Sequence, residues 1–557
     1  MPPNLRISLS KEDKYSIPPL SRLIGDELDN FYQLGLKDRE RHHLLLSHAT
    51  GLFRLPWKGA NSALQETMKA LMFPALEMHP RFKKRIQAYA EGLDRPVREV
   101  AFALLVPELM CFMNNWIPGI PHTIFGCSSF FVWCEKRDQL VHGRILDFPF
   151  HSSFDTNERF VQSALDGGPV TFSFSSEGFP YPSITAMTES GISLALHQKF
   201  GQTFYYQGTP IFDLAYEMLQ KCDSREECIR FLKRQKSITS WSMYMGFQDG
   251  KILSAELDGE LFHYNPHQIS EKKMHYFCNV RENPNMISNE TLPYGFNEYN
   301  QMRLNIRSLK EKKFLSASKS KSWSAEKLIR FMGTSYDQGK IESQDWQMDP
   351  LTPSTLQTVA MIPGIGEALF LPGKAPKFFN GEIISIENAF NEPKTQIKHI
   401  KGKVDPSAYQ KGTYHYMQSQ VAHDLGDYHH CYHHIQLAID FFGEHPMGNI
   451  ALFYFSVFQY IHEEHKKVLS NLLKNFKSLD GFLPTYLADH NSLFIARLEK
   501  ILKNKITIGI DEIQHPSLQK VFEFEKSMPL LLFHKSTSKL MAPRLELLDI
   551  IYPHVRT

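Results

Sequence analysis

The sequence predicts an α+β protein whose strands and helices pack as layers. Three observations lead there. Residues 127 to about 400 carry short apolar or alternating runs broken by glycine turns, with a pair of amphipathic helices among them. The flanking segments, 1–126 and 405–557, read mostly at the three- and four-residue spacing of helices. The strands also arrive in runs instead of alternating singly with helices, so the pattern is not a βαβ array.

In chain order, "NSALQETMKALMFPALEMHPRFKKRIQAYAEGL" predicts helix, with Gly92 as its stop. Asp94 is placed to cap the next helix, with Pro96 in its first turn and Val97, Val100, Ala101 and Leu104 on its apolar face. "IFGCSSFFVWCEKRDQLVHGRILDF" predicts two strands around the polar turn Glu135–Gln139. "VTFSFSS", "ITAMTESGISLALHQ", "MHYFCNV" and "TLQTVAMIPGIGEALFLPG" predict further strands, and those flanking "QDGK" form a hairpin. "PIFDLAYEMLQKCDSREECIRFLKRQ" predicts two helices joined at Asp223–Ser224. From about 405 onward the chain predicts an all-helical appendage. Its first hairpin turns at Leu425–Tyr428 and resembles a tetratricopeptide unit, with Ala438 and Pro446 near the expected positions.

Lys+Arg 62 against Asp+Glu 60 leaves a formal charge of +2, which argues against a nucleic-acid partner. No apolar run is long enough to span a bilayer, and "MPPNLRISLSKEDKYSIPP" lacks the apolar core of a secretory signal. Seven cysteines without framework spacing predict reduced thiols and a cytoplasmic location. No GxGxxG or Walker loop is present, and no cofactor is expected. The histidines 423, 429, 430, 433 and 434 have i,i+4 spacings but no HExxH and cover more than one helix face, so no metal is expected.

Cys127 is the candidate for chemistry. A hairpin symmetric about Arg137 places it opposite Asp147, with Arg144 on the same return strand. If the Gly126–Cys127 bond is cut, the new α-amino group and the thiol belong to one residue. An unperturbed α-amine, with a pKa of about 7.7–8.0, is a usable base at neutral pH. One residue then supplies nucleophile and base. Asp147 is placed to anchor the amine, and Arg144 to hold a thiolate or substrate. The two lie three residues apart, so strict alternation puts them on opposite faces unless a bulge intervenes or the strand ends first.

"GCSS" followed by "HGRILDF" resembles the autoprocessing site of the isopenicillin N acyltransferase-like family of N-terminal nucleophile hydrolases and, more distantly, that of acid ceramidase and the bile salt hydrolases. Five further segments are similar in the same order, over roughly residues 80 to 377: "RIQAYAEGLDRPVREVAFALLVPEL", "ESGISLALHQ", "GTPIFDLAYEMLQKCDSREECIRFL", "FCNVR" with "YNQMR", and "STLQTVAMIPGIGEALFLPGKAP". The resemblance implies a four-layer αββα sandwich over 127–404 and self-cleavage between Gly126 and Cys127. It implies Cys127 as nucleophile, Arg144 and Asp147 as its partners, Asn279 as an oxyanion donor and Arg303 as a further polar member. His197–Gln198 stands where the family often has Asn, and Asn300 where it has Ser. The implied reaction is cleavage or transfer of the acyl group of a small N-acyl compound through a thioester. The aromatics Phe130, Phe131, Trp133, Phe148 and Phe150 suit an apolar acyl chain. Two alternatives stand beside it: a phospholipase B-like ester hydrolase, and a degenerate fold whose C-terminal helices bind a protein partner.

Overall fold

The computed structural model describes residues 16–41, 48, 58–113, 126–269, 274–287, 322–335, 351–402, 404–539 and 541–552. Two large sheets organise the chain. The first has eight strands in the order β1 (Leu20–Gly25), β4 (Glu158–Leu165), β5 (Thr171–Ser176), β6 (Thr185–Thr188), β7 (Ile192–Gln198), β8 (Ser240–Phe247), β9 (Lys251–Asp258) and β10 (Leu261–Gln268). The second has seven, ordered β11 (His275–Phe277), β2 (Ser128–Cys134), β3 (Gln139–Asp147), β12 (Thr355–Ile362), β13 (Glu367–Phe370), β14 (Glu382–Glu387) and β15 (Gln396–Lys401).

Phenylalanines of the first sheet (Phe160, Phe172, Phe174) pack on Val359, Met361, Phe370, Ile384 and Ile386 of the second, so the two sheets share a core. "SSFFVWC" is a near-continuous apolar run because β2 is covered on both faces. Phe131 points toward Tyr244 and Ile252 of the other sheet. Phe130 and Val132 point away, onto Leu328, Ile329 and Met332 of the helix Ala325–Gly333.

The first sheet's other face meets the helices α1 (Glu27–Asp38), α2 (Lys58–Met78), α3 (Pro80–Leu93), α4 (Val97–Met113), α5 (Ile211–Lys221) and α6 (Arg225–Leu232). The first 126 residues therefore add more than helices. Leu20–Gly25 pairs in parallel with β4, from Leu20 opposite Phe160 to Gly25 opposite Leu165. Its short polar-punctuated sequence carries no alternation strong enough to announce a strand.

Two local readings are corrected. Gly92 lies inside α3 and does not stop it; Asp94, left-handed at φ 58°, forms its C-cap instead of capping α4. Gly92 is small because α1 crosses there. A Cβ on it would stand 2.2 Å from the Tyr32 carbonyl oxygen and 2.9 Å from the Cα of Gly35. Both contacts are backbone, so the helices would have to separate. Gly92→Ala is expected to destabilise by about 1–3 kcal/mol or more, read as a lowered denaturation midpoint.

Beyond residue 404 the chain forms α7 (Ala408–Asp424), α8 (Tyr428–Phe442), α9 (Pro446–His462), Lys466–Ser478, Thr485–Lys503, Pro516–Ser527 and Leu530–Lys539. The capping box of Ser407 and Gln410 starts α7, and the turn predicted at Leu425–Tyr428 ends it, with Tyr428 already the first residue of α8. The segment is not all-helical. Ala542–Arg544 (β16) pairs antiparallel with Asp549–Ile551 (β17). Among the described residues, no helix is long and apolar enough to cross a membrane, and no group of three His, Cys, Asp or Glu side chains is arranged to hold a metal ion.

Candidate active site

Cys127 heads β2 and is 3% exposed. In the observed register Ser128 faces Ile145 and Ser129 faces Arg144. The hairpin's centre thus falls between Lys136 and Arg137, half a residue before the expected centre, and Cys127 stands opposite Leu146, not Asp147. The cause is the turn Glu135–Asp138, whose last residue is left-handed at φ 53°. The shift brings Arg144 in. Cys127 and Ser129 share one face of the pleat, and Arg144, opposing Ser129, shares it too. Its Nη2 lies 3.2 Å from the Cys127 Sγ and donates to the Leu196 carbonyl at 2.6 Å.

Arg144 is fully buried, and its Nε and Nη1 have no hydrogen-bond partner among the described residues. This sets it apart from the other buried arginines. Arg85 meets Asp213, Arg159 meets Asp38, Arg281 meets Asp258, Arg497 meets Glu525, and Arg544 meets Asp424 and Glu546. An arginine buried for structure is neutralised by a carboxylate. Among the described residues Arg144 forms no ion pair with one; it faces sulfur. Its charge also reaches His142, which burial first and Arg144 second keep well below the ordinary imidazole range.

Asp147 ends β3. Its backbone oxygen lies 3.9 Å from the Cys127 Sγ, and its carboxylate Oδ1 accepts from Thr355 Oγ1 at 2.6 Å. The irregularity found lies in the partner strand and not in β3, where it was expected. Thr355 pairs with Asp147 and Gln357 with Leu146, which leaves Leu356 as the extra residue.

Asn279 Nδ2 donates to the Gln198 carbonyl at 2.8 Å, and Gln198 Nε2 donates to the Pro107 carbonyl at 2.7 Å. His197 and Gln198 point to opposite faces of β7. His197 Nε2 bonds Ser129 Oγ at 2.8 Å between the sheets, edge-on to Tyr244. Gln198 instead lines a cavity with Cys127. Arg303 and Asn300 lie outside the described residues.

That cavity measures about 30 Å³ and is walled by Leu146, Phe148, Phe150, Phe154, Phe179, Phe212 and Trp241, among others. It has room for about one or two waters. Of the aromatics proposed from sequence, Phe148 and Phe150 line it. Phe130 packs outward on Phe331 and Tyr276, and Phe131 stacks on His142. Phe154, Phe179, Phe212 and Trp241 were missed, as were Thr355 and the Leu196 carbonyl. Their roles depend on packing between segments distant in sequence, and no local motif marks them.

No family model matches the chain, and no curated protein does. Solved structures do. An N-acylethanolamine-hydrolyzing acid amidase ortholog from Caenorhabditis elegans matches at 11% identity and TM-score 0.28, over 43% of this chain and 93% of its own. Penicillin V acylase from Agrobacterium tumefaciens matches at 12% and 0.29, over 49% and 91%. A variant of conjugated bile acid hydrolase from Clostridium perfringens matches at 12% and 0.31, over 50% and 98%. All three are N-terminal nucleophile hydrolases. At these scores the superpositions carry no argument, and the functional reading rests on the residues around Cys127.

Proposed function

We propose that this chain is the precursor of a cysteine N-terminal nucleophile amidohydrolase with an αββα core, acting on a small N-acyl compound. The buried guanidinium of Arg144, set against the Cys127 sulfur where the other buried arginines meet carboxylates, carries the reading.

In an uncut chain the Cys127 nitrogen is an amide and so no base. Maturation begins when the Cys127 thiolate, held by Arg144, attacks the Gly126 carbonyl carbon. The C–N bond breaks, the departing nitrogen takes a proton, and Gly126 is left as a thioester. Water hydrolyses this to a Gly126 carboxylate, freeing the thiol and the α-amine.

In turnover the amine takes the thiol proton, and the thiolate attacks the substrate's acyl carbonyl. The amine's extra proton then goes to the leaving nitrogen as the C–N bond breaks. Water, activated by the same amine, resolves the thioester; an amine acceptor in its place gives acyl transfer. Asp147 anchors the ammonium. Asn279 keeps one Nδ2 hydrogen beyond its bond to Gln198, which suits it to the developing oxyanion, and Gln198, which lines the cavity beside Cys127, is the second candidate for that oxyanion. His197, turned between the sheets, is not. Arg303 is assigned as a further polar group of the site.

Intact-mass measurement tests the reading before any substrate is known. The expected products are residues 1–126 and 127–557. A chain that stays whole under every maturation condition, mild acid included, has no α-amine base, and the scaffold alternative then holds. For a processed enzyme, Asn279→Ala is expected to lower kcat by about 10²–10³ with KM little changed. A change confined to KM would make Asn279 a binding residue.

A further inference from the structure

The segment 148–157, directly after Asp147, has two working sides. Its inner side supplies Phe148, Phe150 and Phe154 to the cavity beside Cys127. Its outer side is gripped from elsewhere. Asp155, which also accepts from Ser152 N within the segment, accepts from Ala375 N at 2.7 Å, and the Ala375 carbonyl accepts from Gln418 Nε2 of α7 at 3.1 Å. His151 is 2% exposed, and neither ring nitrogen has a hydrogen-bond partner among the described residues. Around it stand Asp155, the His48 ring at 5.8 Å, and, from the C-terminal residues, Asp424 and Arg544. Those last two are bonded to each other at 2.9 and 3.0 Å. Burial outweighs both carboxylates and holds His151 below its ordinary range, so it packs there as a neutral ring.

We propose that the C-terminal helices set the acyl fit of the Cys127 cavity: α7 and β16 brace the outer side of 148–157, and that segment's three phenylalanines form the cavity wall. This inference rests on the amidohydrolase reading above. His151 and Gln418 are positioning residues in it, acting through the phenylalanines and touching no reacting atom.

The test uses the full-length, matured protein with Gln418→Ala and His151→Leu. Gln418 is half-buried and its truncation removes only two side-chain hydrogen bonds, to the Ala375 carbonyl and to the Tyr414 hydroxyl, so one variant survives even if the other misfolds. Amide hydrogen exchange over 148–157 is expected to quicken about tenfold in Gln418→Ala while the sheets keep their protection. Kinetics are read on N-acyl p-nitroanilides from acetyl to octanoyl. KM is expected to rise about fivefold with kcat within about twofold, and the preferred chain length to shift. His151→Gln, which refills the site with a neutral polar group, should recover most of the wild-type profile. Unchanged exchange in both variants overturns the bracing whatever the activity. An unaltered acyl preference despite faster exchange overturns its role in fit. A wild type that neither self-cleaves nor hydrolyses defeats the functional reading instead, and the exchange result still decides whether the brace exists.

Discussion

Cys127→Ala is expected to remain one 557-residue chain and to show no turnover at all. The same sulfur is asked to cut the chain and to attack the substrate, and alanine leaves neither nucleophile nor the cut that frees the amine. The substitution removes one buried sulfur beside a cavity of about 30 Å³, so the fold should lose only about 1 kcal/mol, within the ordinary range for a single core change. Intact mass, a thermal melt and an amide-hydrolysis assay together decide it. A Cys127→Ala chain that still cleaves before residue 127 would move the nucleophile elsewhere.

The second large effect belongs to Arg144. Arg144→Leu keeps much of the volume but removes the cation 3.2 Å from the sulfur and leaves the Leu196 carbonyl without that donor. Taking one member from a buried charge pair costs about 3–5 kcal/mol. Applied to the thiolate form, that is a rate loss of about two to four powers of ten, in maturation and turnover alike. The split between rate and stability identifies the role. With no carboxylate ion pair to break among the described residues, the Leu variant should melt near the wild type, whereas Arg159→Leu would strand Asp38. Arg144→Lys should recover part of the rate at high pH and low salt, where a point charge can still find the sulfur. Maturation within threefold of wild type in the Leu variant would relegate Arg144 to packing.

What was legible in the sequence was local chemistry. Gly126–Cys127 at the head of an apolar run, with Arg144 nine residues past the turn's start, identified the pair that the structure brings into contact. The hairpin's register was off by one because a left-handed Asp138 closes the turn half a residue early, and no period-two pattern reports that. The pairing of Asp147 with Thr355 depended on Leu356, an extra residue in a strand some two hundred positions away. The strand Leu20–Gly25 was invisible for a related reason, since its place is fixed by the edge of β4 and not by its own residues. Gly92 misled because glycine marks both helix ends and helix crossings, and only the position of Gly35 distinguishes them.

The path of residues 1–126 through the fold bears on what the proposed cut would make of the protein. β1 contributes an edge to the eight-stranded sheet, Arg85 and Asp38 are locked to Asp213 and Arg159, and Pro107 and Glu108 of α4 bond Gln198, Ile211 and Trp241. Every one of these links crosses the Gly126–Cys127 boundary. Until the bond breaks, the chain itself keeps the two sides together at any concentration. Under the proposed maturation the same contacts would become a subunit interface, and a polypeptide that folded as one molecule would persist as two. Dilution, which means nothing to an uncut chain, would then act on the cut one. A fragment 127–557 alone would lack both the edge strand and part of the wall behind Cys127.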